Sequence, residues 1–140
     1  MKSPSVSVGF WLKRAQHAYR MRLDAELRPL GLTAPKYAVL ATIAAEAGAS
    51  NASLARAAFV TAQTMQGILS SLERSGLLTR TPHAQHGRIL ETTLTEPGAH
   101  ILEQARARVE AVEALLLAAT NGDDDRLVDL LSKIASDLGA

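Results

Sequence analysis

The chain contains no cysteine in its 140 residues. That absence excludes disulfides, thiolate zinc sites and thiol-based redox sensing together. It also lacks any run of roughly 20 apolar residues, the length a membrane-spanning helix requires. The N-terminal stretch carries one Lys and no apolar segment ending in a small-residue cleavage site, so a secretory signal is not expected and the cytoplasm is the expected location. There is no Gly-rich phosphate loop, no Gly-x-Ser-x-Gly and no Cys–His pair, so neither catalysis nor a cofactor is expected. No internal repeat, low-complexity segment or flexible linker divides the chain. At about 150 residues per domain this is a single domain, and one of this size buries roughly 70% of its unfolded surface without staples.

A large excess of one charge is missing as well: 15 basic residues stand against 14 acidic, a net of +1. Taken alone, that balance argues against a nucleic-acid binder. Its distribution reverses the inference. Residues 1–30 carry six basic groups and two acidic, a net of +4; residues 31–98 carry five and four, a net of +1; residues 99–140 carry four and eight, a net of −4. A basic front and an acidic back allow either surfaces of opposite sign or two helices that pair by charge.

What is present is mostly helical periodicity. Val8, Trp11, Leu12, Ala15, Ala18, Tyr19, Leu23 and Leu27 recur at helical spacing, predicting a helix from about Ser7 to Arg28 that Pro29 and Gly31 end. Thr33 and Pro35 open a second helix through about Ala45, with Tyr37, Leu40, Ala41 and Ala44 as its expected buried face. Ser50 or Asn51 caps a short third helix, Ala52 to Ala58, and Phe59 and Val60 connect it onward. Thr61 caps a fourth from Ala62 to about Ser75, with Met65, Ile68, Leu69 and Leu72 inward and Gly76 at its end. The period then changes: Leu78 to Thr81 and Ile89 to Leu94 read as a hairpin around Pro82 to Gly87. Thr95 caps a long helix from Glu96 to about Ala119, and Asn121-Gly122-Asp123 separates it from a last one, Asp124 to Leu138.

Two short helices, a tight connection, a polar-faced helix and a hairpin make a winged helix-turn-helix, in which the second helix of the pair enters the DNA major groove. The fold class is therefore mainly α with a small β-hairpin wing. The outward face of the fourth helix carries Thr61, Gln63, Thr64, Gln66, Gly67 and Ser70. Gln can bond an adenine edge through two atoms, and Thr can meet a phosphate or a thymine methyl. No charge lies between Thr61 and Leu72, whereas an ordinary solvated helix favours Glu and Lys four apart. Lys36, Arg56, Arg74, Arg80 and Arg88 are the candidate phosphate contacts.

Six segments together resemble one family. Gly31-Leu32-Thr33, Tyr37-Ala38-Val39-Leu40, Ser53-Leu54-Ala55-Arg56, Val60-Thr61-Ala62-Gln63-Thr64, Leu72-Glu73-Arg74-Ser75-Gly76-Leu77-Leu78 and Leu94-Thr95-Glu96-Pro97-Gly98 follow in order the pattern of the MarR (multiple-antibiotic-resistance type) regulators. The resemblance runs from about residue 8 to residue 138. It implies a DNA-binding transcriptional regulator, most often a repressor, acting as a homodimer on an inverted-repeat operator in double-stranded DNA. Residues 7–30 and 96–138 would supply dimerisation helices, and residues 31–95 the winged helix-turn-helix lobe. It also implies a crevice for a small aromatic or lipophilic effector, for which Trp11, His17, Tyr19 and Tyr37 are the candidates. The chain departs from the pattern at the wing, where His86-Gly87-Arg88 replaces the usual Asp-x-Arg, leaving Arg88 as the minor-groove candidate without its acidic brace. It departs again at Gly67 and Ser71, where the family often has Arg.

Other residues have plainer roles. His83 and His86 fall short of the three or four ligands zinc needs, so no metal is expected and a pH-dependent wing contact is the better reading. His17 and His100 read as polar interface groups. Asp123-Asp124-Asp125 opens a helix, where negative charge is stabilised by the dipole. The rival reading of the whole chain is a winged-helix interaction module that no longer binds DNA. The neutral fourth helix and the altered wing favour it; Arg56, Arg74, Arg80 and Arg88 oppose it.

Overall fold

The computed structural model describes residues 6–82 and 90–140. Helix α1 spans Val8–Leu27, begun by Ser7, whose hydroxyl accepts the Phe10 N–H at 3.1 Å. Pro29 sits in a single 3₁₀ turn, Arg28–Leu30, and Gly31 follows at φ 73°. That left-handed residue lets the Leu32 N–H return to the Leu27 carbonyl at 3.2 Å, closing the helix end. Helices α2 (Ala34–Ala45), α3 (Asn51–Ala58) and α4 (Ala62–Arg74) follow, capped by Thr33, Ser50 and Thr61. Strands β1 (Leu78–Pro82) and β2 (Leu90–Leu94) pair antiparallel, with Leu78 opposite Leu94. Thr95 then caps α5 (Glu96–Thr120), and α6 (Asp124–Asp137) ends the fold. The chain is thus mainly helical with one two-stranded hairpin, and boundaries agree with the sequence pattern to within a residue or two.

The core lies in the middle of the chain. Leu27, Val39, Leu40, Leu54, Met65, Leu72, Leu78 and Leu102 are all but inaccessible to solvent, so each of the helices α1 to α5, and strand β1, contributes at least one anchor. Helix α4 turns Met65, Leu69 and Leu72 inward, with Ile68 packed partly buried beside them. The α2 face needs correction. The structure buries Pro35, Val39, Leu40 and Ile43, while Tyr37 and Ala41 are half-buried and Ala44 is exposed. Turning the helix by about one residue exchanges two alanines for the larger Val39 and Ile43, which remove more apolar area from water.

Two apolar surfaces have no cover among the described residues. Of the predicted α1 stripe only Leu23 and Leu27 are buried, leaving Val8, Trp11 and Tyr19 exposed. Helix α6 buries nothing, and Leu127, Leu130, Leu131 and Leu138 all face outward. At the α3–α4 turn, Phe59 takes the left-handed conformation at φ 57° with a side chain 95% exposed. Such a backbone costs a non-glycine residue roughly 1–2 kcal/mol.

Candidate DNA interface and an adjoining cavity

The fourth helix presents the face the sequence anticipated. Thr61, Gln63, Thr64, Gln66 and Gly67 are exposed, and Ser70 is half-buried. Thr61 accepts the Thr64 N–H at 3.1 Å through its hydroxyl oxygen and donates to the Thr64 hydroxyl at 3.0 Å, so both groups are oriented at the helix start. Gln63 and Gln66 lie three apart, which puts two adaptable amides side by side on one helical face. Nothing stands within 4 Å of where a Cβ on Gly67 would sit, so the helix surface is open there.

The candidate cations divide. Arg56 near the end of α3 and Arg74 at the end of α4 are exposed, and Lys36 in the first turn of α2 is half-buried. Arg80 on β1 is turned back onto α4, its side chain 17% exposed. Its Nη2 donates to Glu73 Oε1 at 3.2 Å and lies 3.4 Å from Ser70 Oγ, while its Nε is buried without a partner among the described residues. Arg88, with His83, His86 and Gly87, lies outside the described residues.

Behind α3 is a cavity of about 540 Å³ between α1, α2, the α3–α4 turn and α5. Tyr19 and Tyr37 line it, as the sequence reading paired them. Trp11 and His17 do not: both are exposed on α1, Trp11 standing edge-on to Phe10 with ring centres 5.4 Å apart and under the Arg14 guanidinium at 5.6 Å. Burial, reinforced by Glu113 and then by Tyr37, raises the Tyr19 phenol above its ordinary pKa of 10.0, so it remains a neutral donor. Arg20, Phe59 and Val109, none of them marked by the sequence for this site, also line it. Arg20 could have been found from its place four residues before Asp24. Its Nε donates to Asp24 Oδ2 at 2.9 Å, and Asp24 Oδ1 accepts the Ala34 N–H at 2.8 Å, so the cavity's cation is tied to the start of α2. Phe59 offered a fainter signal, a large apolar residue in a two-residue connection.

Among the described residues no group of three or more His, Cys, Asp or Glu side chains is placed to share a metal ion, and no helix is long and apolar enough to cross a membrane.

Comparison with known proteins gives this geometry a lineage. Residues 30–89 match the family model described as MarR family. The HTH-type transcriptional repressor Rv2887 of Mycobacterium tuberculosis is 37% identical over 131 residues, covering 93% of this chain and 94% of that one. The crystal structure of that MarR family protein in complex with p-aminosalicylic acid superposes with a TM-score of 0.73 at 32% identity, covering 96% of this chain and all of the other. The transcriptional repressor CouR of Rhodococcus jostii RHA1, bound to a 23-mer DNA duplex, gives 0.82 at 28% identity over 94% of each chain. An exposed polar helix face on a helix-turn-helix, a hairpin beside it and this degree of similarity along nearly the whole length agree: the chain belongs to the MarR family of winged helix-turn-helix transcriptional regulators.

Proposed function

We propose that the chain is a sequence-specific repressor that binds an inverted-repeat operator as a homodimer and is released by a small aromatic carboxylate. It acts by binding and catalyses no reaction, and its place of work is the bacterial cytoplasm. The observation that carries this reading is the outward face of α4: Thr61, Gln63, Thr64, Gln66 and Gly67 stand exposed with no charge among them, on a helix whose other side is locked into the core. Gln63, Thr64 and Gln66 read base edges, with Thr61, Gly67 and Ser70 at close approach. Lys36, Arg56 and Arg74 contact phosphate. Arg80 reaches a phosphate only by giving up Glu73, and Arg88 enters the minor groove.

Effector class follows from the second half of the site. A cavity of about 540 Å³ falls within the range of small-molecule pockets. Two phenols and one guanidinium on its wall suit a flat ring carrying one negative charge, since Arg binds carboxylates through parallel donors. The relative from M. tuberculosis has been crystallised with p-aminosalicylic acid and with salicylic acid, which supports the same class here.

Anisotropy of labelled genomic fragments, the region around the chain's own gene included, tests the DNA half. With about three phosphates engaged per subunit, the slope of log affinity against log salt is expected near −5. A slope near zero on the tightest fragment overturns the electrostatic assignment, and no preferred fragment favours the interaction-module reading, which the charge-free outward face of α4 and the inward Arg80 support. Thermal shift and operator release on adding salicylate test the effector half. Trp11 is a poor reporter for this purpose, because it lies away from the cavity.

A further inference from the structure

We propose that Phe59 is the residue through which this regulator reads its effector: the ring an aromatic ligand in the cavity stacks against, set in the turn that aims the recognition helix. The inference rests on the effector reading above, and adds to it a contact and a route to DNA.

Nothing in the fold requires a phenylalanine at this position. Its side chain is 95% exposed, so it adds nothing to the core. At φ 57° it holds a backbone conformation that suits glycine. The hydrogen bonds that close the α3 end are made by main-chain atoms alone: the Phe59 N–H to the Arg56 carbonyl at 3.2 Å and the Val60 N–H to the Ala55 carbonyl at 3.0 Å. Glycine would make both with less strain. Exposure and backbone therefore both count against stability, and residues held in sparsely populated conformations concentrate at ligand clamps and switches.

Phe59 does share a cavity wall with Tyr19, Tyr37 and Arg20. Two tyrosines and one arginine lining this space, with Phe59 exposed beside them, fit a planar anion, its faces against rings and its carboxylate on Arg20. The two tyrosines stand on α1 and α2. Phe59 instead stands two residues before Thr61, whose hydroxyl caps α4. A ligand ring seated on Phe59 thus touches the turn between the two helices of the DNA-binding motif. A ligand that seats best with this turn displaced favours the conformation in which α4 no longer fits the groove, which is what release requires.

The test uses the full-length dimer, salicylate as the probe, calorimetry for its affinity and operator anisotropy with and without it. Phe59→Ala is expected to weaken salicylate binding roughly tenfold, the size of a lost aromatic contact. Operator affinity without salicylate should stay within about twofold of wild type, as for a surface substitution. Phe59→Tyr should restore salicylate binding. Phe59→Gly should lose it as Phe59→Ala does, yet unfold at a higher temperature than Phe59→Ala because it relaxes the turn. Equal salicylate affinity in wild type, Phe59→Ala and Phe59→Gly overturns the inference and leaves the effector reading standing. A tenfold or greater loss of operator affinity in ligand-free Phe59→Ala and Phe59→Gly also overturns it, by making the ring a support for DNA contact. A wild-type dimer that binds neither salicylate nor p-aminosalicylate overturns the effector reading, and this inference with it.

Discussion

Asp24 divides its two oxygens between two elements, one on Arg20 of its own helix and one on the Ala34 N–H that begins α2. Thr33 also caps α2, but its contact to the Lys36 N–H is long, at 3.4 Å. A carboxylate near a helix N-terminus is favoured by the dipole and by the free N–H groups. Asp24→Ala is therefore expected to destabilise the fold by about 1 kcal/mol, and Asp24→Asn, which keeps an acceptor for Ala34, by less. Urea denaturation of the two variants checks the order, and equal losses would show that the Arg20 pair alone matters. Tyr19 gives a second prediction at this scale. Its folded pKa is raised, so the folded state holds the phenol proton more tightly than the unfolded chain. The resulting stability is complete below the unfolded value of 10.0 and is lost as pH rises through the folded value. With Tyr37 replaced by Phe, Tyr19 is the sole tyrosine, and its spectroscopic tyrosinate titration is expected above pH 10.0.

Between α4 and β1 the connection is made by Arg80, held by Glu73 and close to Ser70. Its burial fits a brace that fixes the root of the hairpin against the recognition helix. Arg80→Met is expected to lower operator affinity several-fold by loosening that angle, with the salt slope unchanged. A slope reduced by about one would make Arg80 a phosphate contact instead. The root of the hairpin is also packed tightly against the start of α5. A Cβ on Gly98 would overlap the Leu77 carbonyl oxygen, which belongs to the backbone leading into β1. Gly98→Ala is expected to cost more than about 2 kcal/mol, as forced backbone shifts do, seen as a lowered melting temperature. Legibility in the sequence differed by element for a physical reason. The caps Thr33, Thr61 and Thr95 were readable because cap chemistry is local, and Ser50 prevailed over Asn51 on the same chemistry. The face of α2 was not, because alanines carry weak periodicity and Tyr37 is drawn toward the cavity. Tyr19 and Tyr37 were legible through the family resemblance, but Arg20 and Phe59 join them only because α1 and the α3–α4 turn face one cavity, which no local pattern encodes.

Charge and apolar surface settle how the whole molecule works. The basic front and acidic back could have paired helix to helix by sign, with α1 donating cations and α5 anions. The contact that forms runs the other way: Arg108 of α5 donates to the Glu26 carbonyl of α1 at 3.3 Å, with its carboxylate 3.9 Å away. The remaining asymmetry is left for surfaces outside the single chain. Apolar surface points the same way, since α6 buries none of Leu127, Leu130, Leu131 or Leu138, and the start of α1 leaves Val8 and Trp11 exposed. We propose that these two helix faces are the two halves of a symmetric interface. Joining two lobes makes the second half-site contact intramolecular, which raises affinity by roughly 10²–10⁴ without any new contact. The double variant Leu127→Asp with Leu131→Asp places charge in that interface while touching no buried residue of the lobe. It is expected to elute as a monomer with helical content largely retained, and to bind the operator about 100-fold more weakly than wild type. Undiminished operator binding by a demonstrated monomer would mean that a single lobe carries the recognition.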